Sequence, residues 1–487
     1  MDKTKSDHKS DKKAFYITTT APYVNAKPHI GFALEIIQAD TLARYKRLKG
    51  CDVFFNFGTD EHGQKIYQKA QENKKTPKEY VDEYYEKFDL LKNALNLSYD
   101  NITRTTDDYH VKAAQQMWML CKDNGYIEKG VYKAKYCVGC ELEKQDSDLE
   151  NGKCPLHPTY EIELIEEENY FFKFSKLQND LLELYKNNPD FVVPKNRLKE
   201  IKNFVEGGLK DFSVSRLKEK MPWGIAVPDD PKHVMYVWFD ALTFYISALG
   251  WPEDKDKFEK FWGTKNDPKA IQVAGKDNLR QQSAMWQAIL MTAGLPNTKQ
   301  VLIHGFITSG GQKMSKSLGN VIDPIEYAEK YGTDALRYYL LAKISPFEDS
   351  DFTKEGFERV YQADLANGVG NLTARVAGLS KNLKLDIKKS KPTFSKEVEN
   401  KLKNYKFNDA LEHVWDNITS VDKLINKKKV WELNNKERET VLSDLIDKIR
   451  QIAYDLKPFL PETSEKIEAQ FSSTQIKNSE PLFPRLD

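Results

Sequence analysis

The sequence predicts an α/β chain: a parallel nucleotide-binding fold built in two halves around an insertion, followed by an all-α bundle. Three observations predict it. Short apolar runs that end in glycine-bearing turns alternate with amphipathic helical stretches in residues 14–107 and again in 271–305. Between them, 108–270 breaks the alternation and holds four of the five cysteines, three of them within 137–154. From Tyr361 onward strand signals give way to helices with long polar faces. A chain of 487 residues is too long for one core, so division into domains is expected.

The first element is the apolar run 15–20, a strand that breaks at Pro22 and Pro28. An amphipathic pattern follows, with Ile30, Leu34, Ile37, Leu42 and Tyr45 on one face. His29 and Gly31 therefore sit where a strand feeds a helix N-terminus, where unpaired N–H groups and the helix dipole favour phosphate. The run 51–57 is a second buried strand, ending in the hexapeptide 58–63, Gly-Thr-Asp-Glu-His-Gly. Residues at the carboxyl ends of parallel strands line the ligand crevice, which places Asp60 and His62 there. Asp60 suits a cationic group such as an ammonium; the alternative is a cap for the helix starting near Gln64.

Helices are expected before Lys75 and over 80–95. In the insertion, Cys137 and Cys140 form one knuckle, and Cys154 and His157 form a second beyond an Asn151-Gly152 turn. Paired short spacings aim four soft ligands at one point, the arrangement tetrahedral Zn2+ requires. With no open position, such a site is structural. Around Asp240, Trp238, Ala241 and Tyr245 offer aromatic and apolar walls, or simply a buried helix. The strand at 271–278 ends in Gly275 and Asp277, whose carboxylate suits ribose hydroxyls. After the helix 279–293 and the strand 300–304, Gly310-Gly311 forms a hinge before Lys313 and Lys316. Two ammonium groups on a mobile loop suit a triphosphate. In the helical region, Ser395 is an expected N-cap.

A net charge of +1 gives no general sign of nucleic-acid binding, so an RNA partner must be argued from local residues. No apolar run is long enough for a membrane span. Residues 1–13 are hydrophilic and include three aspartates, which argues for a disordered tail against a secretory or transit peptide. Five cysteines do not make a secreted disulfide framework. The cytoplasm is the expected compartment.

These motifs resemble those of class I aminoacyl-tRNA synthetases: 23–31 (YVNAKPHIG) near the start and 313–317 (KMSKS) near the end, on two halves of one Rossmann-type fold. The segments 21–25, 58–63, 211–216, 237–241 and 482–485, with the zinc knuckles, are similar to the methionyl-tRNA synthetase family specifically. The resemblance runs from about Phe15 to the C-terminus and implies six regions: tail 1–13, catalytic half 14–107, connective insertion 108–270, second catalytic half 271–305, a KMSKS-loop region 306–360 and an anticodon-binding bundle 361–487.

The resemblance further implies that ATP with Mg2+ and L-methionine form methionyl-adenylate, and that the methionyl group then passes to tRNA(Met). His29, Lys313 and Lys316 would stabilise the reacting phosphate; His29, Gly31, Gly275, Asp277 and Lys316 would hold ATP. Asp60 would bind the methionine ammonium, with Tyr23, Trp238, Ala241 and Tyr245 around the thioether. Asn367, Asn371, Arg375 and Trp431 would read the anticodon.

Three positions depart from the family pattern. Phe32 stands where a second histidine is usual, and losing such a donor costs on the order of 2–4 kcal/mol at the transition state. Gln281-Gln282 replaces a common Phe-His pair, and Val430 replaces a proline before the anticodon tryptophan. Phe32 motivates an alternative expectation, a catalytically impaired tRNA- or methionine-binding paralogue. A synthetase for Ile, Val or Leu is a further alternative, disfavoured by an insertion too short for both a zinc module and a large editing domain. The chain stops at the bundle without the extra tRNA-binding module that dimerises some members, so a monomer is expected.

Overall fold

The computed structural model describes residues 12–314, 319–387, 392–477 and 480–486; most of the expected tail, and Lys316, lie outside the described residues. The chain forms two compact units. One comprises Met1–Ala26, Lys46–Glu86 and Tyr99–Ile303, the other Lys27–Tyr45, Lys87–Ser98 and His304–Asp487.

The first unit is built on a six-stranded sheet in the order Asn101–Arg104, Asp52–Thr59, Ala14–Thr19, Ile271–Gly275, Gln300–His304 and Val192–Val193. Ala14–Thr19 pairs in parallel with both neighbours, Ile17 facing Phe55 on one side and Ile271 on the other. Ile271–Gly275 is buried along its whole length, as continuous apolar runs require when both sheet faces are covered. Beside the sheet lie Trp118, Trp262, Trp286, Phe239 and Tyr245. The Tyr16 hydroxyl reaches the Tyr245 carbonyl at 2.7 Å, which satisfies its polar tip in that core. The edge strand Val192–Val193 comes from inside 108–270, so the stretch read as an insertion also extends the sheet.

A second, antiparallel sheet has the order Leu142–Lys144, Ile127–Cys137, Ile162–Phe172 and Phe212–Ser213. Ile127–Cys137 and Ile162–Phe172 pair from Ile127 opposite Phe172 to Cys137 opposite Ile162, which delivers Cys137 to the end of the ribbon. The expected helix at 279–293 is split: Gln281–Met285 is a π-helical turn and Trp286–Thr292 is α.

In the second unit, Lys354–Val360 continues through a π-helical stretch, Tyr361–Gly370, into Asn371–Leu379. Lys396–Lys403, Phe407–Lys428, Asn435–Leu456 and Pro461–Gln470 follow. Phe407–Lys428 buries Phe407, Ala410, Leu411, Val414, Ile418, Val421 and Ile425, the i, i+3, i+4 spacing of a core-facing stripe. Ser395 caps Lys396–Lys403 by accepting the Val398 N–H, as its sequence position predicts. Arg337, fully buried, pairs with Asp40 at 2.8 Å. It also donates to the carbonyls of Phe459, Leu95 and Pro458, so no part of its fork is wasted. No helix among the described residues is long and apolar enough to cross a membrane.

Candidate active site

The loop after Asp52–Thr59 assigns three consecutive ionisable residues to three different environments. Asp60 donates its N–H to the Pro22 carbonyl at 3.0 Å and accepts from the Val24 N–H at 3.1 Å, which pairs it with Tyr23 in a parallel bridge. Glu61 turns away to a bidentate pair with Arg104 at 2.7 and 2.9 Å, and accepts from the Thr59 hydroxyl at 2.7 Å. His62 bonds Asp240 through Nδ1 at 2.9 Å. The other oxygen of Asp240 meets His110 Nε2 at 3.1 Å, and His110 Nδ1 meets the Ser247 hydroxyl at 2.9 Å. Burial alone would push the Asp240 carboxyl up, but the two histidines hold it below the usual carboxylate range.

Braced on both sides in this way, Asp60 is buried and, among the described residues, its Oδ1 has no hydrogen-bond partner. Burial, and then the neighbouring carboxylates of Asp240 and Glu141, push its carboxyl well above the usual range. A buried carboxylate with an empty oxygen is complementary to a cation such as an ammonium. It is not a helix cap: Gly63 occupies the cap position of Gln64–Glu72.

Tyr23 and Trp238 pack with Tyr136, Val138, Tyr160, Tyr236 and Val237 in an apolar cluster separate from the main core. Ala241 is buried on the same short helix as Trp238, Val237–Leu242, and the Trp238 indole N–H has no hydrogen-bond partner among the described residues. Tyr245 lies elsewhere, in the main core, its ring against Phe244 and Trp286. Gln282 belongs to a buried amide network with Gln272 and Gln287, while the Oε1 of Gln281 is buried without a hydrogen-bond partner among the described residues. Gly275 ends its strand buried, and Asp277 is exposed in the turn that follows.

The ligand atoms of Cys137, Cys140, Cys154 and His157 all lie within 4.8 Å of one another. Cys140 Sγ is 3.5 Å from Cys154 Sγ and 3.1 Å from His157 Nδ1. Metal–sulfur bonds of about 2.3 Å in a tetrahedron space two sulfurs by roughly 3.8 Å, so the donor set fits zinc. The intervening turn has Asn151 and Gly152 at φ 51° and 78°, and Glu150 and Lys153 exchange backbone bonds across it. That is the hairpin the Asn-Gly pair predicts.

In the second unit, the start of the helix Ile30–Leu48 differs from expectation. Its first N–H groups are engaged: Ile30 donates to the Ile322 carbonyl, Phe32 and Ala33 donate to the His29 carbonyl, and Gly31 donates to His29 Nδ1 at 3.1 Å. The backbone therefore offers little to a phosphate, and Gly31 serves His29 instead. A Cβ at Gly31 would lie 3.0 Å from the imidazole. An accepting Nδ1 leaves the proton of neutral His29 on Nε2, on an exposed side chain. Phe32 points the other way, buried with its ring edge-on to Phe88.

Gly310 and Gly311, at φ 62° and 74°, form a tight turn between Ile307–Ser309 and Gln312–Lys313 rather than an open hinge. Asp351 latches it, accepting from the Gly311 N–H at 2.8 Å and the Thr308 hydroxyl at 2.7 Å. Lys313 is exposed at the end of this hairpin. Farther along the unit, Arg375 lies over the Trp431 ring at 5.4 Å and pairs with Asp422 at 2.7 Å. Trp431 is 45% exposed, whereas Val430 is fully buried. Asn367 and Asn371 are exposed on the same continuous helix.

Sequence reasoning missed the braces. Arg104, His110 and Glu141 carry no motif, and only the position of Glu141 directly after Cys140 could have drawn notice.

Comparison with known proteins places this geometry in a family. A model of class I tRNA synthetases (M) matches residues 15–161 and 140–377. The methionine–tRNA ligase of Thermotoga maritima is 40% identical over 512 residues, covering 97% of this chain and 80% of that protein. The methionine–tRNA ligase of a Nostoc species is 40% identical over 483 residues, covering 94% and 90%. Mycobacterium tuberculosis methionyl-tRNA synthetase in complex with methionyl-adenylate superposes with a TM-score of 0.88 at 31% identity, covering 97% of this chain and 100% of that one. The chain belongs to the methionine–tRNA ligases, a family of class I aminoacyl-tRNA synthetases.

Proposed function

We propose that this chain activates L-methionine with ATP to give methionyl-adenylate and transfers the methionyl group to tRNA(Met). The observation that carries the reading is the buried, unpartnered Oδ1 of Asp60 beside the Tyr23–Trp238 cluster. The methionine ammonium pairs with that oxygen, and its thioether lies among Tyr23, Trp238 and Ala241, where polarisable sulfur meets aromatic faces. The methionine carboxylate attacks the α-phosphate of ATP and pyrophosphate leaves. Catalysis is mainly positioning and charge stabilisation. His29 donates from Nε2 to phosphate oxygen, Lys313 and Lys316 balance the charge moving onto pyrophosphate, and Gly275 and Asp277 hold the adenosine. ATP enters as its Mg2+ complex.

Cys137, Cys140, Cys154 and His157 hold Zn2+ with no position left open, so the metal stabilises the connective region and takes no part in the chemistry. The cation-stacked Trp431 with Arg375, Asn367 and Asn371 reads the anticodon. The six regions expected from the motifs, a monomeric state and a cytoplasmic location complete the reading.

Methionine-dependent ATP–pyrophosphate exchange tests it, with isoleucine and cysteine as competitors. Exchange with methionine alone is expected; its absence from zinc-replete protein would overturn the proposal and favour a binding paralogue.

A further inference from the structure

The metal knuckle does not end at its sulfurs. Glu141, next after Cys140, is 4% exposed and sits at φ 50°, a left-handed conformation that a residue with a side chain holds only when its surroundings impose it. The surroundings are visible. The Tyr236 hydroxyl donates to the Glu141 carbonyl. The Lys65 backbone N–H donates to Glu141 Oε1 at 2.9 Å, and the Tyr23 hydroxyl donates to the same oxygen. Lys65 also reaches back to the knuckle, its Nζ donating to the Gly139 carbonyl at 3.3 Å.

Room for this contact depends on Gly63. Its φ is 105°, and a Cβ there would lie 2.5 Å from the Tyr23 hydroxyl oxygen and 2.7 Å from Glu141 Oε2. Tyr23 is thus held from two directions: by backbone pairing with Asp60 and by its hydroxyl on Glu141. Burial and the adjacent carboxylates of Glu141 and Asp60 push the Tyr23 hydroxyl well above its usual range, so it stays a donor. Like Asp60, Glu141 keeps one buried oxygen, Oε2, without a hydrogen-bond partner among the described residues.

We propose that Glu141 is a positioning residue of the amino-acid site, acting through Tyr23 to fix the ring that walls the methionine pocket and to tie that pocket to the metal knuckle. The inference rests on the assignment of Tyr23 and Asp60 to methionine. A hydrogen bond to a buried carboxylate governs where the ring lies, so its loss is read in methionine affinity rather than in ATP affinity.

The test compares Glu141→Ala, Tyr23→Phe and the double variant in zinc-replete full-length protein. Labelled methionine is measured by equilibrium dialysis, the KM values for methionine and ATP by pyrophosphate exchange, and bound zinc by elemental analysis. Each single variant is expected to weaken methionine roughly tenfold, leaving zinc content and the ATP KM unchanged. The double variant should be no weaker than either single, and Glu141→Gln, which keeps the Oε1 acceptor, should recover most of the affinity. Multiplicative losses in the double variant, failure of Glu141→Gln to recover, or an unchanged methionine KM in Glu141→Ala would overturn the proposal. If Glu141→Ala loses its metal, Tyr23→Phe decides alone, since it leaves the knuckle intact; wild-type affinity there would also overturn it. Asp60→Asn separates the two levels. Weakened methionine in Asp60→Asn with none in the Glu141 and Tyr23 variants removes only the role of Glu141. Wild-type affinity in Asp60→Asn removes the site assignment itself.

Discussion

Replacing Phe32 with histidine asks whether position 32 faces the reacting phosphate or the core. The family pattern has a histidine here, and a donor restored to a transition state would be worth on the order of 2–4 kcal/mol, or roughly 30- to 1,000-fold in rate. The structure predicts a different outcome. The Phe32 ring is 8% exposed and meets Phe88 edge-on, with centroids 5.7 Å apart and planes at 74°. An imidazole in its place forfeits the aromatic pair, about 0.5–1.5 kcal/mol, and buries a ring nitrogen without a partner, about 1–3 kcal/mol. Phe32→His should therefore lose roughly 2–4 kcal/mol of stability and gain no rate. Urea unfolding gives the first quantity, through a lower midpoint at unchanged slope. Pyrophosphate exchange at saturating methionine and ATP gives the second. A tenfold or greater rise in kcat with an unchanged unfolding midpoint would refute the reasoning, because it would show the side chain at 32 turning out towards ATP.

Cys154→Ala should release the metal, since it removes one of four converging ligands; full metal retention by elemental analysis would contradict the ligand set. Trp431→Ala should weaken tRNA charging by the value of one stacked base, about 1–3 kcal/mol, while leaving pyrophosphate exchange intact. Equal losses in both assays would remove Trp431 from the anticodon. Asp334 is buried with one oxygen bonded to the Thr463 N–H and the other unpartnered, and burial pushes its carboxyl up to about 6. Because the folded value exceeds the unfolded one, its contribution is fully present below about pH 4 and is lost as pH rises through about 6. Asp334→Asn should accordingly gain on the order of 2–3 kcal/mol relative to the parent at pH 8 compared with pH 4, read as a pH-dependent shift in unfolding midpoint. An equal difference at both pH values would show that Asp334 does not titrate there.

Much of the architecture was legible because its signals are local. Continuous apolar runs mark strands buried on both faces, and Asn151-Gly152 and Ser395 specify their turn and cap by chemistry that acts over three or four residues. What could not be read depends on partners distant in sequence or on backbone irregularity. The π-helical turns at Gln281–Met285 and Tyr361–Gly370 have no periodic signature distinct from an α-helix. The edge strand Val192–Val193 is two residues long, too short for alternation to register, and it exists only because Gln300–His304 offers it an edge. The expectation of free N–H groups before Gly31 followed from helix geometry, but it omitted a neighbouring imidazole that consumes one of them.

The loop 60–62 shows why a motif can locate a site without explaining it. Asp60, Glu61 and His62 are adjacent and ionisable, and nothing in their own identities decides which is left for a ligand. The decision is made by Arg104, which takes Glu61, and by Asp240, which takes His62 and is itself held by His110. Each partner removes one candidate by satisfying it, and Asp60 is left with a buried oxygen that no hydrogen bond among the described residues satisfies. The proposed binding group is thus defined by subtraction. Removing Arg104 or Asp240 would therefore do more than loosen a loop: it would free Glu61 or His62 to compete for the ammonium proposed to bind at Asp60, or to neutralise Asp60 itself.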